Sequence, residues 1–121
     1  MKFTPILVGL ALTLAACSTP FSGSGLTKDG TPITGNRVVH TGHSEDVSFT
    51  SLDGWSCSGT VNLYQMFYDG RTSEAFPVKC SDGRTGNVMV AFPFLDRSRL
   101  RPGDVSYTFK LSDGTTGLFR I

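Results

Sequence analysis

Apolar and polar residues alternate along most of the chain, which is the pattern of β-strands that bury one face. In the clearest case, apolar side chains occupy every second position over residues 76–80 and again over residues 88–92. Asp82-Gly83 lies between these runs. The dipeptide favours a tight turn, because glycine tolerates positive φ and aspartate bonds the backbone locally. We therefore predict a β-hairpin here.

The same pattern recurs elsewhere in the chain. Asp53-Gly54 and Asp113-Gly114 echo the Asp82-Gly83 turn, and no segment shows a sustained helical period. Further inward faces are predicted for Trp55, Cys57, Gly59, Val61 and Leu63, for Val105, Tyr107, Phe109 and Leu111, and for Gly117, Phe119 and Ile121. The sequence predicts an all-β fold, a small antiparallel barrel or sandwich of about seven strands built from hairpins.

The first residues have the arrangement of an export signal. Lys2 precedes an apolar run over residues 6–14, which is shorter than the ~20 residues that a spanning helix needs. The run ends in Leu14-Ala15-Ala16-Cys17, which resembles the lipobox of bacterial lipoproteins. This resemblance covers residues 1–17 and implies cleavage before Cys17 and acylation of that cysteine. The alternative is an ordinary secretory signal that carries a cysteine.

The resemblance to lipoproteins also implies a location. Several acyl chains on one residue hold a protein stably on a membrane. Ser18 stands where an aspartate would resemble an inner-membrane retention signal. The expected location is therefore the bacterial cell envelope, with the lipid in the outer membrane and the protein facing the periplasm.

Residues 18–35 differ in composition from the rest of the chain. They consist largely of Ser, Thr, Gly and Pro, and their sizeable apolar side chains are Phe21, Leu26 and Ile33. So little apolar surface does not offset the entropy of ordering, so a flexible tether is expected. Asp29-Gly30 leaves a loose first hairpin as the alternative. The predicted organisation is a signal peptide (1–16), a lipidated Cys17 with its tether (17–35) and a single β domain (36–121).

Cysteine usage agrees with an oxidising compartment. Of the three cysteines, lipidation would use Cys17 and leave Cys57 and Cys80. A domain of this size has a thin core and benefits from a covalent link, so we predict a Cys57–Cys80 disulfide. The alternatives are two buried thiols or an intermolecular bond.

Arginine supplies one candidate contact with a partner. Arg97, Arg99 and Arg101 alternate, so on an extended segment all three face one way and can bind phosphate or carboxylate. An anionic envelope polymer or an acidic envelope protein would suit them. The alternative is a solvated loop. Without Lys2, ten positive and ten negative side chains balance, which argues against a nucleic-acid partner.

Aromatic residues supply a second candidate contact. Tyr64 and Tyr68, beside Met66 and Phe67, fall on the outward register that continues the strand begun at Trp55. Exposed together, they would form a binding patch. The alternative is core packing across a bulge.

Catalytic and metal-binding patterns are weak in this sequence. His40, His43, Glu45 and Asp46 form one metal-like cluster, which we interpret as a polar loop between strands. We find no nucleophile–base pair, and we expect no enzyme activity, no metal and no cofactor.

A second resemblance concerns function. Trp55-x-Cys57-x-Gly59, followed by Cys80 and Ser81-Asp82-Gly83-Arg84, is similar to the membrane-bound lysozyme inhibitor lipoproteins, over about a third of the chain. Thr85 departs from the tyrosine of that family. The sequence favours a lipid-anchored, non-enzymatic binding or assembly module of the envelope. The resemblance implies, as the alternative, an inhibitor of lysozyme-type hydrolases.

Overall fold

A computed structural model describes residues 18–121, and the predicted signal peptide and the predicted acylation site at Cys17 lie outside the described residues. The described chain forms two short helical segments, α1 (Tyr64–Tyr68) and a 3₁₀ helix (Arg97–Arg99), neither of them long and apolar enough to span a membrane. Its strands are β1 (Ser18–Thr27), β2 (Pro32–His40), β3 (Ser44–Ser51), β4 (Ser56–Asn62), β5 (Ser73–Cys80), β6 (Thr85–Ala91), β7 (Ser106–Leu111) and β8 (Thr116–Arg120).

The eight strands form a closed antiparallel barrel. Each strand pairs with the next along the chain, and β1 closes the sheet by pairing with β8. The predicted all-β fold is confirmed, as a barrel rather than a sandwich and with eight strands rather than about seven. The additional strand is β1, which comes from the segment that was expected to be a tether.

The prediction of a flexible tether is therefore wrong for residues 18–35. They form β1 and the first part of β2, which pair from Ser18↔His40 to Leu26↔Pro32. The sequence signal is weak because Gly23 and Gly25 stand where inward apolar side chains would otherwise alternate. A Cβ at Gly25 would overlap the carbonyl oxygen of Leu118, so glycine here lets β1 lie close against β8.

Aromatic side chains fill the middle of the barrel. The rings of Phe49 and Phe109 lie 4.5 Å apart, and Tyr107 stacks on Phe119 at 4.9 Å with the planes nearly parallel. All four are buried. Gly35 is small because the ring of Phe119 occupies the space that its Cβ would need. The inward faces predicted from alternation are confirmed by these contacts.

The two ends of the barrel are built differently. At one, the turn end, four tight Asp-Gly turns join β1 to β2, β3 to β4, β5 to β6 and β7 to β8. Gly83 and Gly114 adopt φ of 90° and 92° there, as these turns require. At the other, the open end, lie the start of β1, the turn 41–43, α1 and the long connection 92–105.

The seam between β4 and β5 has the shortest register of the barrel. Two residue pairs join these strands, Cys57↔Cys80 and Ser58↔Lys79, whereas the other seams have four to nine. Gly59 lies against the carbonyl oxygen of Pro77 just beyond them. The predicted disulfide between Cys57 and Cys80 is confirmed, and it links the two strands at this seam.

Candidate functional site

A cavity of about 490 Å³ opens into the barrel at its open end. Its wall includes Thr19 and Phe21 of β1, Arg37 of β2, and Arg97 with residues 100–102 of the long connection. Residues 18–22 extend beyond β8, since β1 pairs with β8 through residues 24–27 and Gly23 still packs against the main chain of Arg120. The inward register of β1 therefore faces space here, and the ring of Phe21 stays 43% exposed.

A network of buried charged and polar side chains lies beside this cavity. Glu45 is fully buried on the inward register of β3. Arg97 Nη2 donates to Glu45 Oε2 at 2.9 Å, and Arg37 Nη1 lies 3.7 Å from the same oxygen. Tyr107 Oη accepts from Arg37 Nη1 and donates to Glu45 Oε1, both at 3.4 Å. One carboxylate thus holds β2, β3, β7 and the long connection together.

Positive charge exceeds negative charge at the cavity. Among residues 18–121, three arginines line it, Arg37, Arg97 and Arg101, and no acidic side chain does. Glu45 behind the wall neutralises one positive charge. The cavity therefore keeps a net positive charge, because arginine stays protonated in proteins.

The Nε–H donor of Arg37 is buried beside the cavity. The Arg37 side chain is 7% exposed, and its Nε–H has no hydrogen-bond acceptor among residues 18–121. Its guanidinium also lies 4.8 Å over the ring of Phe21. Buried donors are seldom left without partners, so an unpaired one beside a cavity indicates a place for an acceptor group of a ligand.

Tyr107 forms the deepest part of the network. Burial raises the pKa of its hydroxyl well above the usual range, and the negative charge of Glu45 adds to the rise, although Arg37 opposes it. Tyr107 therefore keeps its proton at neutral pH. Behind the cavity wall it donates a hydrogen bond to Glu45 and accepts one from Arg37.

The three alternating arginines do not face one way. The expectation of an extended segment is wrong, because residues 97–99 form a 3₁₀ turn in which Asp96 Oδ1 accepts from Ser98 N. Arg97 turns inward to Glu45, Arg99 lies over the ring of Phe94 at 5.1 Å, and Arg101 is exposed at the cavity wall. The three side chains therefore have three different environments.

Tyr64 and Tyr68 lie at the surface of the open end. They are 54% and 76% exposed on α1 and stack on one another at 6.1 Å. The outward strand register predicted for them is replaced by a helical turn, in which the buried Met66 points the other way. The ring of His43 lies 6.2 Å from the ring of Tyr64, so the exposed aromatic surface extends from α1 to the turn 41–43.

The histidine cluster is divided by the barrel wall. His40 Nε2 lies 2.8 Å from Asp46 Oδ2 on the outer face, and this hydrogen bond is the main cause of the lowered pKa of Asp46. Glu45 faces the interior. Within residues 18–121 no three histidine, cysteine or carboxylate side chains are grouped to hold a metal ion.

Arg84 belongs to the segment that is similar to lysozyme inhibitors, and its side chain is held by contacts with other residues of the turn end. Its guanidinium pairs with Asp82 at 2.8 Å and Asp113 at 3.0 Å and lies 4.6 Å over the ring of Trp55. Hydrogen bonds lower the pKa of both carboxyls, mainly from Arg84 at Asp82 and from Thr115 at Asp113. Reaching into a partner would break these contacts.

Sequence reasoning missed Arg37, Glu45 and Tyr107 as a group. The signal was present, because Glu45 shares its register with Val47 and Phe49, and Arg37 with Ile33. Charged residues on an inward register indicate a buried network. Which of them meet depends on strand order, which alternation does not give.

Comparisons with known proteins bear on the fold. No protein-family model and no curated protein matches the chain. Among solved structures, the chain is similar to one from the de novo design of a fluorescence-activating β-barrel, with 21% identity and a TM-score of 0.50. The similarity covers 84% of this chain and 89% of the designed one. This likeness supports the barrel fold alone.

Proposed function

We propose that this protein is a small lipid-anchored protein of the bacterial cell envelope that acts as a non-enzymatic binding module. The observation that carries the proposal is the cationic cavity at the open end. We further propose that the cavity binds the acidic group of an envelope component, a carboxylate or phosphate attached to an apolar body.

Shape and chemistry of the cavity support such a ligand. Its volume is within the range of small-molecule sites, roughly 300–1,000 Å³. Phe21, Val39 and Leu100 supply apolar wall, and Arg37 and Arg101 supply donors with the planar geometry that carboxylate and phosphate accept. An anion there would also satisfy the buried Nε–H of Arg37.

The groups present favour binding over catalysis. The arginines do not exchange protons at neutral pH, and the raised pKa of Tyr107 keeps its hydroxyl protonated. Glu45 is fully buried and already accepts from Arg97 and Tyr107. Such a set orients an anion without supplying a general base.

Octanoate and its uncharged analogue octan-1-ol test this proposal. The chain from residue 17, with Cys17→Ser, would be titrated with each by calorimetry, and amide chemical shifts would locate the site. We expect octanoate to bind more tightly than octanol and to shift residues around Phe21, Arg37 and Arg101. Arg101→Ser should weaken octanoate binding about tenfold, since it removes a charge-assisted hydrogen bond.

Arg120→Ser is the matched control. Arg120 is exposed on β8, on the outer register, and does not line the cavity. Its replacement should change octanoate affinity less than about twofold. Equal losses from both variants, or octanoate shifts confined to the turn end, would show that the cavity is not the binding site.

A further inference from the structure

The first strand begins one residue after the cysteine that the lipobox resemblance marks for acylation. β1 starts at Ser18, which pairs with His40 at the open end. Consecutive Cα atoms are about 3.8 Å apart, so an anchor at Cys17 would lie against the barrel itself. This step rests on the lipid anchor of the proposed function. Such an anchor leaves the open end little freedom to turn away from the bilayer.

Exposed side chains at the open end have the chemistry of a bilayer surface. Tyr64 and Tyr68 are amphipathic rings of the kind enriched at the headgroup level, and Leu95 is 43% exposed in the long connection at the same end. Arg99 and Arg101 are exposed in the same connection. Arg97 joins the two elements, because its guanidinium lies 5.1 Å over Phe67 of α1.

Formal charge does not distinguish the two ends. The four turns carry Asp29, Asp53, Asp82 and Asp113, and these charges are balanced by basic residues in or beside the turns, Lys28, Lys79, Arg84 and Lys110. At the open end, Asp69, Asp96 and Asp104 accompany Arg71, Arg99 and Arg101. The position of Cys17 and the exposed tyrosines of α1 therefore assign the open end to the membrane, and Arg99 and Arg101 supply its contacts with phosphate.

We propose that the open end is the face that the protein applies to its membrane. There Arg99 and Arg101 bind the phosphates of anionic phospholipids, while Tyr64 and Tyr68 lie among the headgroups. The mouth of the cavity then opens toward the bilayer, so an anionic amphiphile would enter it from the lipid phase.

Vesicle binding by the unlipidated chain tests the proposed membrane face. The Cys17→Ser chain would be mixed with vesicles of phosphatidylcholine alone or with an equal part of phosphatidylglycerol. We expect binding to the anionic vesicles that falls with salt, and a loss of about fivefold for Arg99→Ser, since each arginine near such a surface contributes about 1 kcal/mol. Lys28→Ser, at the turn end, should have less than a twofold effect.

Tryptophan fluorescence reports the orientation. Trp55 is the one tryptophan of the chain and lies at the turn end, about 20 Å or more along the strands from the open end. Brominated lipids should quench a tryptophan introduced by Tyr68→Trp in a Trp55→Phe background and leave native Trp55 nearly unquenched. Quenching of Trp55 instead would overturn the proposal.

The two proposals fail separately. Arg99 lies outside the cavity lining, so Arg99→Ser should weaken vesicle binding and leave octanoate binding nearly unchanged. Octanoate binding that depends on Arg101, with no preference for anionic vesicles, would overturn the membrane face and leave the cavity as proposed. If the barrel with no further substitution does not bind octanoate, the proposed function itself is overturned.

Discussion

Glu45 is the residue on which the structure of the open end depends most. It is fully buried and interacts with two arginines and one tyrosine that come from three other parts of the chain. Removing one member of a buried charge network costs more than the network contributes as a whole, because the remaining charges lose their partner while still buried.

Glu45→Ala is therefore expected to be strongly destabilising. It would leave Arg37 buried without a counter-charge, and the free energy of unfolding should fall by about 3–5 kcal/mol. Asp46→Asn is the control, because Asp46 is the next residue on β3 and pairs with His40 on the exposed face. That change should cost less than about 1 kcal/mol. Urea unfolding measures both, and similar losses would contradict the role given to Glu45.

Tyr107 predicts how stability changes at alkaline pH. Its pKa in the folded state lies above the value of about 10 in an unfolded chain. The stabilisation linked to this proton is fully present below pH 10 and is lost as the pH rises beyond it, because the unfolded chain releases the proton first. Part of the tyrosinate absorbance should therefore appear only with unfolding.

Tyr107→Phe tests the assignment of that absorbance. The variant keeps the ring stacked on Phe119 and removes the hydroxyl. The unfolding-linked absorbance should disappear in an alkaline titration followed together with circular dichroism. Its persistence would show that another tyrosine is the buried one.

At the scale of elements, the β4–β5 seam is the weakest link of the sheet. Its two residue pairs include the disulfide itself, so the covalent bond supplies what the short hydrogen-bonded register does not.

Reducing the disulfide should open this seam first. The cysteines are 23 positions apart, and the bond is expected to contribute roughly 3 kcal/mol by restricting the unfolded chain. In the Cys17→Ser chain, Cys57→Ser with Cys80→Ser should lower the melting temperature by about 10 °C or more. Hydrogen exchange should accelerate most at amides of β4 and β5. Uniform acceleration around the barrel would contradict a local opening.

Elements differed in how far the sequence predicted them. The hairpins around Asp82-Gly83 and Asp113-Gly114 followed from turn chemistry and alternation, which are local. β1 did not, because Gly23 and Gly25 contribute no apolar side chain and their role is to admit β8. β1 and β8 are far apart in the sequence and come close only when the barrel closes. The local composition of residues 18–35 therefore does not reveal this contact.

At the scale of the whole molecule, the barrel has a filled middle and two unlike ends. Phe49, Phe109 and Phe119 fill the interior, so a ligand that enters the barrel is confined to the open end. The site there combines β1 and β2 with the long connection, which come together only when β1 completes the wall. The sequence indicated Arg97, Arg99 and Arg101 as one binding set, whereas the structure places Arg97 and Arg101 in the cavity wall and Arg99 outside it.

The pairing of β1 with β8 also bears on how such a chain survives export. On the proposed route the N-terminal strand crosses the membrane first and waits for the last strand before its free edge is covered. Unpaired edges are templates for aggregation with other chains. Pro20 cannot donate a hydrogen bond, and Gly23 and Gly25 have low β-propensity, so β1 is a poor template during that interval.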